Sequence, residues 1–285
     1  MSHSHLFRTL FVTTVICLLS ACQSGIEKRI FTANNIAATA GLTKQEVPTG
    51  HFKLATYSRV LNPALPLRVY IEGDGFAWVN KFRLSNNPTP KEPLALTLAA
   101  DDDYPNILYI ARPCQYISLS SDPLCSPNYW SGSRFSPEVI ESTNQVIDHF
   151  VERLHNQKTE LIGFSGGGAV AVLVAAARDD VSLLRTVAGN LDHNALHTYH
   201  DVTQLDDSLN PIDAIDRVKN IPQIHFSGEK DTVVPPFIAK AFVDKINNSE
   251  QPHACAITAE QPGFTHHEGW LNKWRKLLRT WPKCS

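Results

Sequence analysis

The pentapeptide Gly163-Phe164-Ser165-Gly166-Gly167 constrains this chain more than any other stretch. It stands between an apolar run, Thr159 to Phe164, that reads as a strand, and an Ala- and Val-rich run, Gly166 to Arg178, that reads as a buried helix. A serine at such a junction stands clear of a sheet only on a strained turn. Glycines two before and two after it let the backbone crowd that turn without Cβ clashes. The pattern G-x-S-x-G therefore makes Ser165 a candidate nucleophile. The plainer alternative is a glycine-rich packing turn in a non-catalytic sheet. Two rival glycine motifs fail, because no Gly-Lys-Ser/Thr follows and the spacing does not give G-x-G-x-x-G. A helix beginning at Gly166 also offers free N–H groups and the positive end of its dipole to an anion. The Gly166 N–H is thus one candidate oxyanion donor.

The apolar pattern elsewhere alternates in type. Arg68 to Glu72, Asn106 to Ala111, Leu184 to Ala188, Gln223 to Ser227 and Ala254 to Ala259 read as strands. Pro93 to Ala100, Pro235 to Ile246 and Glu268 to Leu278 read as helices, as does a stretch from Pro137 in which Ser136 can cap and Val139, Ile140, Val146, Ile147, Phe150 and Leu154 recur at helical spacing. Strands separated by helices imply parallel pairing with right-handed crossovers. The expectation is an α/β chain, with a mostly parallel central sheet flanked by helices and a ligand site beyond the carboxyl ends of the strands. Leu191 to Asn220 is longer than a simple crossover and reads as a short lid segment.

Three further stretches extend the pattern. Tyr70-Ile71-Glu72-Gly73-Asp74-Gly75-Phe76 follows an early strand. Gly228-Glu229-Lys230-Asp231-Thr232-Val233-Val234-Pro235 follows a later one. Gly263-Phe264-Thr265-His266-His267-Glu268 lies between the last strand and the last helix. With the Ser165 turn, these resemble the α/β-hydrolase superfamily from about Phe52 to the C-terminus. The resemblance implies a triad in chain order Ser165, Asp231, His266. Asp231 sits where the family's G-x-x-D-x-x-V-P loop carries its acid, with Glu229 as the alternative. The family places its histidine three residues after such a glycine, which selects His266 over His267. The early loop resembles the H-G-G-G type loop of esterases, with Glu72 and Asp74 as departures; only a backbone N–H is needed there, from Asp74 or Gly75. Ala111 to Tyr116, Tyr129-Trp130 and Gly189 to Asp192 look like those of proteobacterial α/β-hydrolase lipoproteins.

The N-terminus reads as an address. Arg8 precedes an apolar core, Leu10 to Leu19, too short to span a bilayer, and Leu19-Ser20-Ala21-Cys22 resembles a bacterial lipobox. The expected division is a lipoprotein signal peptide over 1–21, a lipidated tether over 22–50 with the lipid on Cys22, and an α/β-hydrolase domain over 51–285. Gln23 in place of Asp points to the periplasmic face of the outer membrane. Processing would leave 264 residues and remove only Arg8 among charged groups, so 25 basic residues face 28 acidic ones, a net charge of −3. No basic cluster argues for nucleic acid. Cys114, Cys125, Cys255 and Cys284 would remain in an oxidising compartment, with Cys114–Cys125 and Cys255–Cys284 the favoured pairs among three possibilities.

His193, His197 and His200 fall on one helical face and raise a metal reading. Asn194 stands where a zincin carries its general-base Glu, so a polar lid helix is the better account and no metal or other cofactor is expected. The function expected is an ester-cleaving serine hydrolase that takes a small-molecule ester or acyl substrate and is held to the membrane by its lipid. A serine peptidase or amidase of the same fold, and a non-catalytic binding lipoprotein, are the alternatives.

Overall fold

Runs of Val, Ile, Leu and Tyr bounded by Gly, Pro and Asp become the strands of one large sheet. The computed structural model describes residues 25–248 and 255–282. In chain order the strands are β1 (Thr43–Pro48), β2 (Lys53–Val60), β3 (Leu67–Ile71), the hairpin β4 (Trp78–Asn80) and β5 (Arg83–Leu84), β6 (Asn106–Ile110), β7 (Thr159–Phe164), β8 (Val181–Val187), β9 (Gln223–Gly228) and β10 (Ala256–Gln261). All but the hairpin join in the spatial order β1-β2-β6-β3-β7-β8-β9-β10. From β6 to β10 every neighbouring pair is parallel, while β1 and β2 pair antiparallel at one edge.

Helices cover both faces. They are α1 (residues 25–39), α2 (Leu94–Asp101), α3 (Pro137–Val151), α4 (Gly166–Ala176), α5 (His193–His200), α6 (Ile215–Val218), α7 (Pro236–Asn247) and α8 (Trp270–Leu277). Strand residues alternate between two cores, as the pleat requires. Val69, Leu108 and Leu161 pack with α3, α4 and α7; Tyr70, Tyr109 and Ile162 pack with α1, α2 and α8. Helix α4 is buried along nearly its whole length, so its Ala-Val-Leu sequence carries no polar stripe. The expected sheet, mostly parallel and flanked by helices, is the one observed.

Two expectations need correction. Residues 25–48 are not a tether: α1 puts Ala33 and Ala37 fully into the core, Tyr57 Oη donates to Asn34 Oδ1 at 2.8 Å, and β1 pairs with β2 from Thr43 opposite Ser58 to Pro48 opposite Lys53. The packed chain therefore begins by residue 25 rather than 51. Its polar composition concealed this, because small alanines seat the helix and only Val47 of β1 is buried. The stretch read as a lid segment carries α5, a 3₁₀ turn at Pro211–Ala214 and α6, with the helix expected at its three histidines in place. Ser136 precedes α3 as expected, but its hydroxyl makes no cap bond.

Cys114 and Cys125 are joined by a disulfide, the pairing expected for them. Cys255 is not a free thiol. Its expected partner Cys284, the signal segment 1–21 and Cys22 lie outside the described residues.

Candidate active site

Five strand ends converge on one point above the sheet. At the end of β7, Ser165 adopts φ +53° and ψ −120°, a left-handed conformation that costs a non-glycine residue roughly 1–3 kcal/mol. The fold holds it there: Ser165 N–H donates to Val187 O at 2.9 Å, and Ser165 O accepts from Gly168 N (2.9 Å) and Asn190 N (3.0 Å). The flanking glycines are obligatory. A Cβ on Gly163 would stand 2.1 Å from Gly167 O, and one on Gly167 would stand 2.2 Å from Ile71 O.

The acid comes from the turn after β9. Asp231 is 3% exposed; its Oδ1 accepts the N–H groups of Val233 and Val234 at 2.8 Å each, which fixes the carboxylate and leaves Oδ2 for a third donor. That donor is His266 Nδ1, 2.8 Å away. Because a carboxylate only accepts, the Nδ1 nitrogen carries the proton and Nε2 is left as an acceptor. Nε2 lies 3.0 Å from Ser165 Oγ, whose hydroxyl donates to it. The imidazole packs on Phe164 with centroids 5.1 Å apart, and Trp270 Nε1 donates to the His266 carbonyl at 3.1 Å. The structure thus brings Ser165, His266 and Asp231 into one hydrogen-bonded line. Glu229, the alternative acid, instead accepts the Gly263 N–H at 2.7 Å. His267 packs edge-on against Phe164 and His266, makes no hydrogen bond to Ser165, and has its pKa lowered by burial and then by His266.

The loop after β3 closes the other side. Gly73 lies against Ser165, a Cβ on it falling 3.3 Å from Ser165 Cβ. Its N–H is taken by Glu72 Oε1 at 3.0 Å. Among the described residues the N–H groups of Asp74, Gly75 and Gly166 donate to no protein acceptor. Asp74 and Gly166 are the two expected from sequence, and the Gly75 N–H is equally available.

Three side chains of this wall escaped sequence reasoning as functional groups. Glu72, fully buried, accepts from Gly73 N, from Ala95 N at the start of α2 (3.4 Å) and from Tyr109 Oη (3.1 Å); burial raises its pKa to about 7. Arg112 Nη1 donates to Asp74 Oδ1 at 3.0 Å, and Arg134 Nε lies 3.4 Å from Asp74 Oδ2. Arg112 also donates to the Arg134 carbonyl. Burial pulls the Arg112 pKa down, and Asp74 opposes that shift. The only sequence signal for these groups was the acidic departure from a plain glycine loop at positions 72 and 74. Glu72, Asp74, Arg134, Ser165 and His266 line a cleft of about 420 Å³.

The three α5 histidines face different partners. His197 Nε2 accepts from Arg134 Nη2 at 2.9 Å, His193 stacks on Phe135, and His200 Nε2 donates to Val233 O at 2.8 Å.

No protein-family model and no curated protein matches this chain. Solved structures do. Est1E from Butyrivibrio proteoclasticus is similar at 14% identity and TM-score 0.57, over 82% of this chain and 95% of that one. A protein of Klebsiella pneumoniae subsp. pneumoniae carrying a dienelactone hydrolase designation is similar at 16% identity and TM-score 0.59, over 84% and 97%. The acylaminoacyl peptidase of Pyrococcus horikoshii is similar at 11% identity and TM-score 0.58, over 83% of this chain but only 40% of the peptidase. At these identities the likeness is one of fold: the chain has the α/β-hydrolase fold.

Proposed function

We propose that the protein is a serine hydrolase that cleaves carboxylic esters through an acyl-enzyme. The observation that carries this reading is the continuous line Ser165 Oγ, His266 Nε2 (3.0 Å), His266 Nδ1, Asp231 Oδ2 (2.8 Å) at the floor of an open cleft.

In that geometry His266 Nε2 takes the hydroxyl proton as Ser165 Oγ attacks the ester carbonyl carbon. Asp231 stabilises the imidazolium that forms and keeps its ring oriented. The oxyanion is received by N–H groups of Gly166 and Asp74, fixed before the reaction and worth about 3 kcal/mol each in the transition state. Collapse breaks the C–O bond, and His266 returns the proton to the departing alkoxide. Water, deprotonated by the same nitrogen, then releases the acid and restores Ser165. The charged wall of Asp74, Arg112 and Arg134 holds the oxyanion loop against the nucleophile turn. Ester is the bond assigned because its alkoxide departs more readily than an amine, which makes it the default substrate of this two-step chemistry.

We propose further that Cys22 carries lipid and that residues 1–21 are removed, which would place the domain at the membrane surface of the cell envelope. The support is the short apolar core and Leu19-Ser20-Ala21-Cys22.

Hydrolysis of p-nitrophenyl butyrate tests the activity. Wild type should turn over, and Ser165→Ala should lose at least about 10³-fold in kcat with its melting temperature kept. Equal rates for the two proteins would exclude the site. An N-terminal peptide whose mass shows Cys22 unmodified and residues 1–21 retained would exclude the anchor.

A further inference from the structure

Between β3 and α2 the chain leaves the sheet on an excursion whose role the triad does not account for. Its base is closed by Phe76 N–H donating to Pro88 O (2.9 Å) and Ser85 N–H donating to Ala77 O (2.8 Å). Beyond that base the β4–β5 hairpin projects with an unusual surface. Trp78 is 43% exposed and Phe82 at the tip is 88% exposed, with Val79 exposed between them. Lys81 and Arg83 flank Phe82, both exposed, and no acidic residue lies in the hairpin. The tip is shaped rather than loose, since Asn80 Oδ1 accepts the Phe82 N–H at 3.0 Å. Trp78 also lines the mouth of the cleft that holds Ser165.

The position of this hairpin relative to the N-terminus gives it a partner. Arg29 of α1 lies over the Phe76 ring at 4.7 Å and donates to Thr89 O at 3.0 Å, so α1 is fastened to the hairpin's own base. Arg29 is one helical turn, about 6 Å, from residue 25. Only three residue steps separate residue 25 from Cys22, a reach of at most about 10 Å. An acyl chain on Cys22 therefore holds the hairpin and the cleft mouth close to the bilayer.

We propose that the β4–β5 hairpin is a membrane-docking element, which seats Phe82 and Trp78 in the interface and sets Lys81 and Arg83 on anionic headgroups, so that the cleft opens toward esters held in that membrane. Exposed aromatics at headgroup level beside basic side chains suit an anionic lipid surface and no buried protein contact of this chain. The inference rests on the lipid anchor proposed above and names the substrate class for the same site: amphiphilic esters presented at the surface.

The test is direct contact, independent of turnover. The full chain carrying Phe82→p-benzoylphenylalanine is placed on phosphatidylcholine vesicles containing phosphatidylglycerol and irradiated; exposed Lys240 on α7, a helix of the core layer opposite α1, receives the same group as control. Position 82 should form several-fold more lipid adduct than position 240, and Lys81→Glu with Arg83→Glu should reduce it. Equal adduct at both positions, or adduct at 82 to protein only, overturns the proposal. The mass of the N-terminal peptide reports the anchor separately. Lipidated Cys22 with no adduct at 82 sinks the hairpin and leaves the anchor, whereas unmodified Cys22 with no adduct sinks both. Adduct at 82 supports docking even if no ester is cleaved.

Discussion

The carboxylate of Asp74 occupies the space that any side chain at position 166 would need: a Cβ built on Gly166 would stand 2.0 Å from Asp74 Oδ1. Asp74 cannot yield easily, because Arg112 and Arg134 hold both its oxygens. Gly166 and Asp74 are therefore one device, in which the ion-paired carboxylate fixes how closely the loop after β3 approaches the start of α4.

Gly166→Ala should accordingly lower kcat about 10²-fold, the scale of losing one oxyanion donor, with little change in KM. Asp74→Ala relieves the clash but strands Arg112, a buried cation, at a stability cost of about 3–5 kcal/mol. The double variant should then lose less than the two single losses combined. Strict additivity in a double-mutant cycle would deny the coupling.

Asp231→Asn tests the orientation of the histidine. The amide it introduces keeps the acceptor used by Val233 and Val234 but turns an NH₂ toward His266 Nδ1, which favours the wrong tautomer. A fall of about 10⁴-fold in kcat with a near-native melting temperature is expected. A loss below tenfold would show that Asp231 is not the orienting acid.

Glu72 gives stability a defined pH dependence. Its folded pKa of about 7 lies above the ordinary carboxylate value of 4.5, so the folded state binds the proton more tightly. This contribution is full below pH 4.5 and is lost as pH rises toward 7, by up to about 3 kcal/mol. The melting temperature of Glu72→Gln relative to wild type should therefore rise between pH 4.5 and 7.5. A difference that stays flat with pH would contradict the buried, proton-sharing carboxyl.

His225 works in the opposite sense. Fully buried on β9 between Thr186 Oγ1 and Gln223 Oε1, each 2.9 Å away, it has its pKa lowered by burial from 6.5 to about 3. The folded state resists protonation, so stability present above pH 6.5 is lost on acidification, by up to about 5 kcal/mol near pH 3. The nuclear resonances of its ring should not titrate above pH 5. A midpoint near 6.5 would mean the ring is wet.

What was legible in the sequence followed from local rules. The strained turn at Ser165 announced itself through glycines whose steric need is local, and the apolar run before it matches β7 end to end. That Asp231 and His266 would lie beside Ser165 could be read from chain order, because successive parallel strands deliver their carboxyl ends to one edge. Strand β1 was missed because an edge strand with one buried side chain has no apolar alternation to read. Arg112 and Arg134 were missed for a different reason: a buried cation looks like a surface one until its partner Asp74, far off in sequence, is seen beside it. The hairpin of Trp78 and Phe82 carried no pattern longer than three residues.

The most direct measurement is the site of covalent capture by a fluorophosphonate. Mass spectrometry of the wild-type protein should find one adduct, on the peptide holding Ser165, formed at least about 10³-fold faster than in His266→Ala. An adduct on another serine, or labelling of Ser165 at the same rate without His266, would contradict the account.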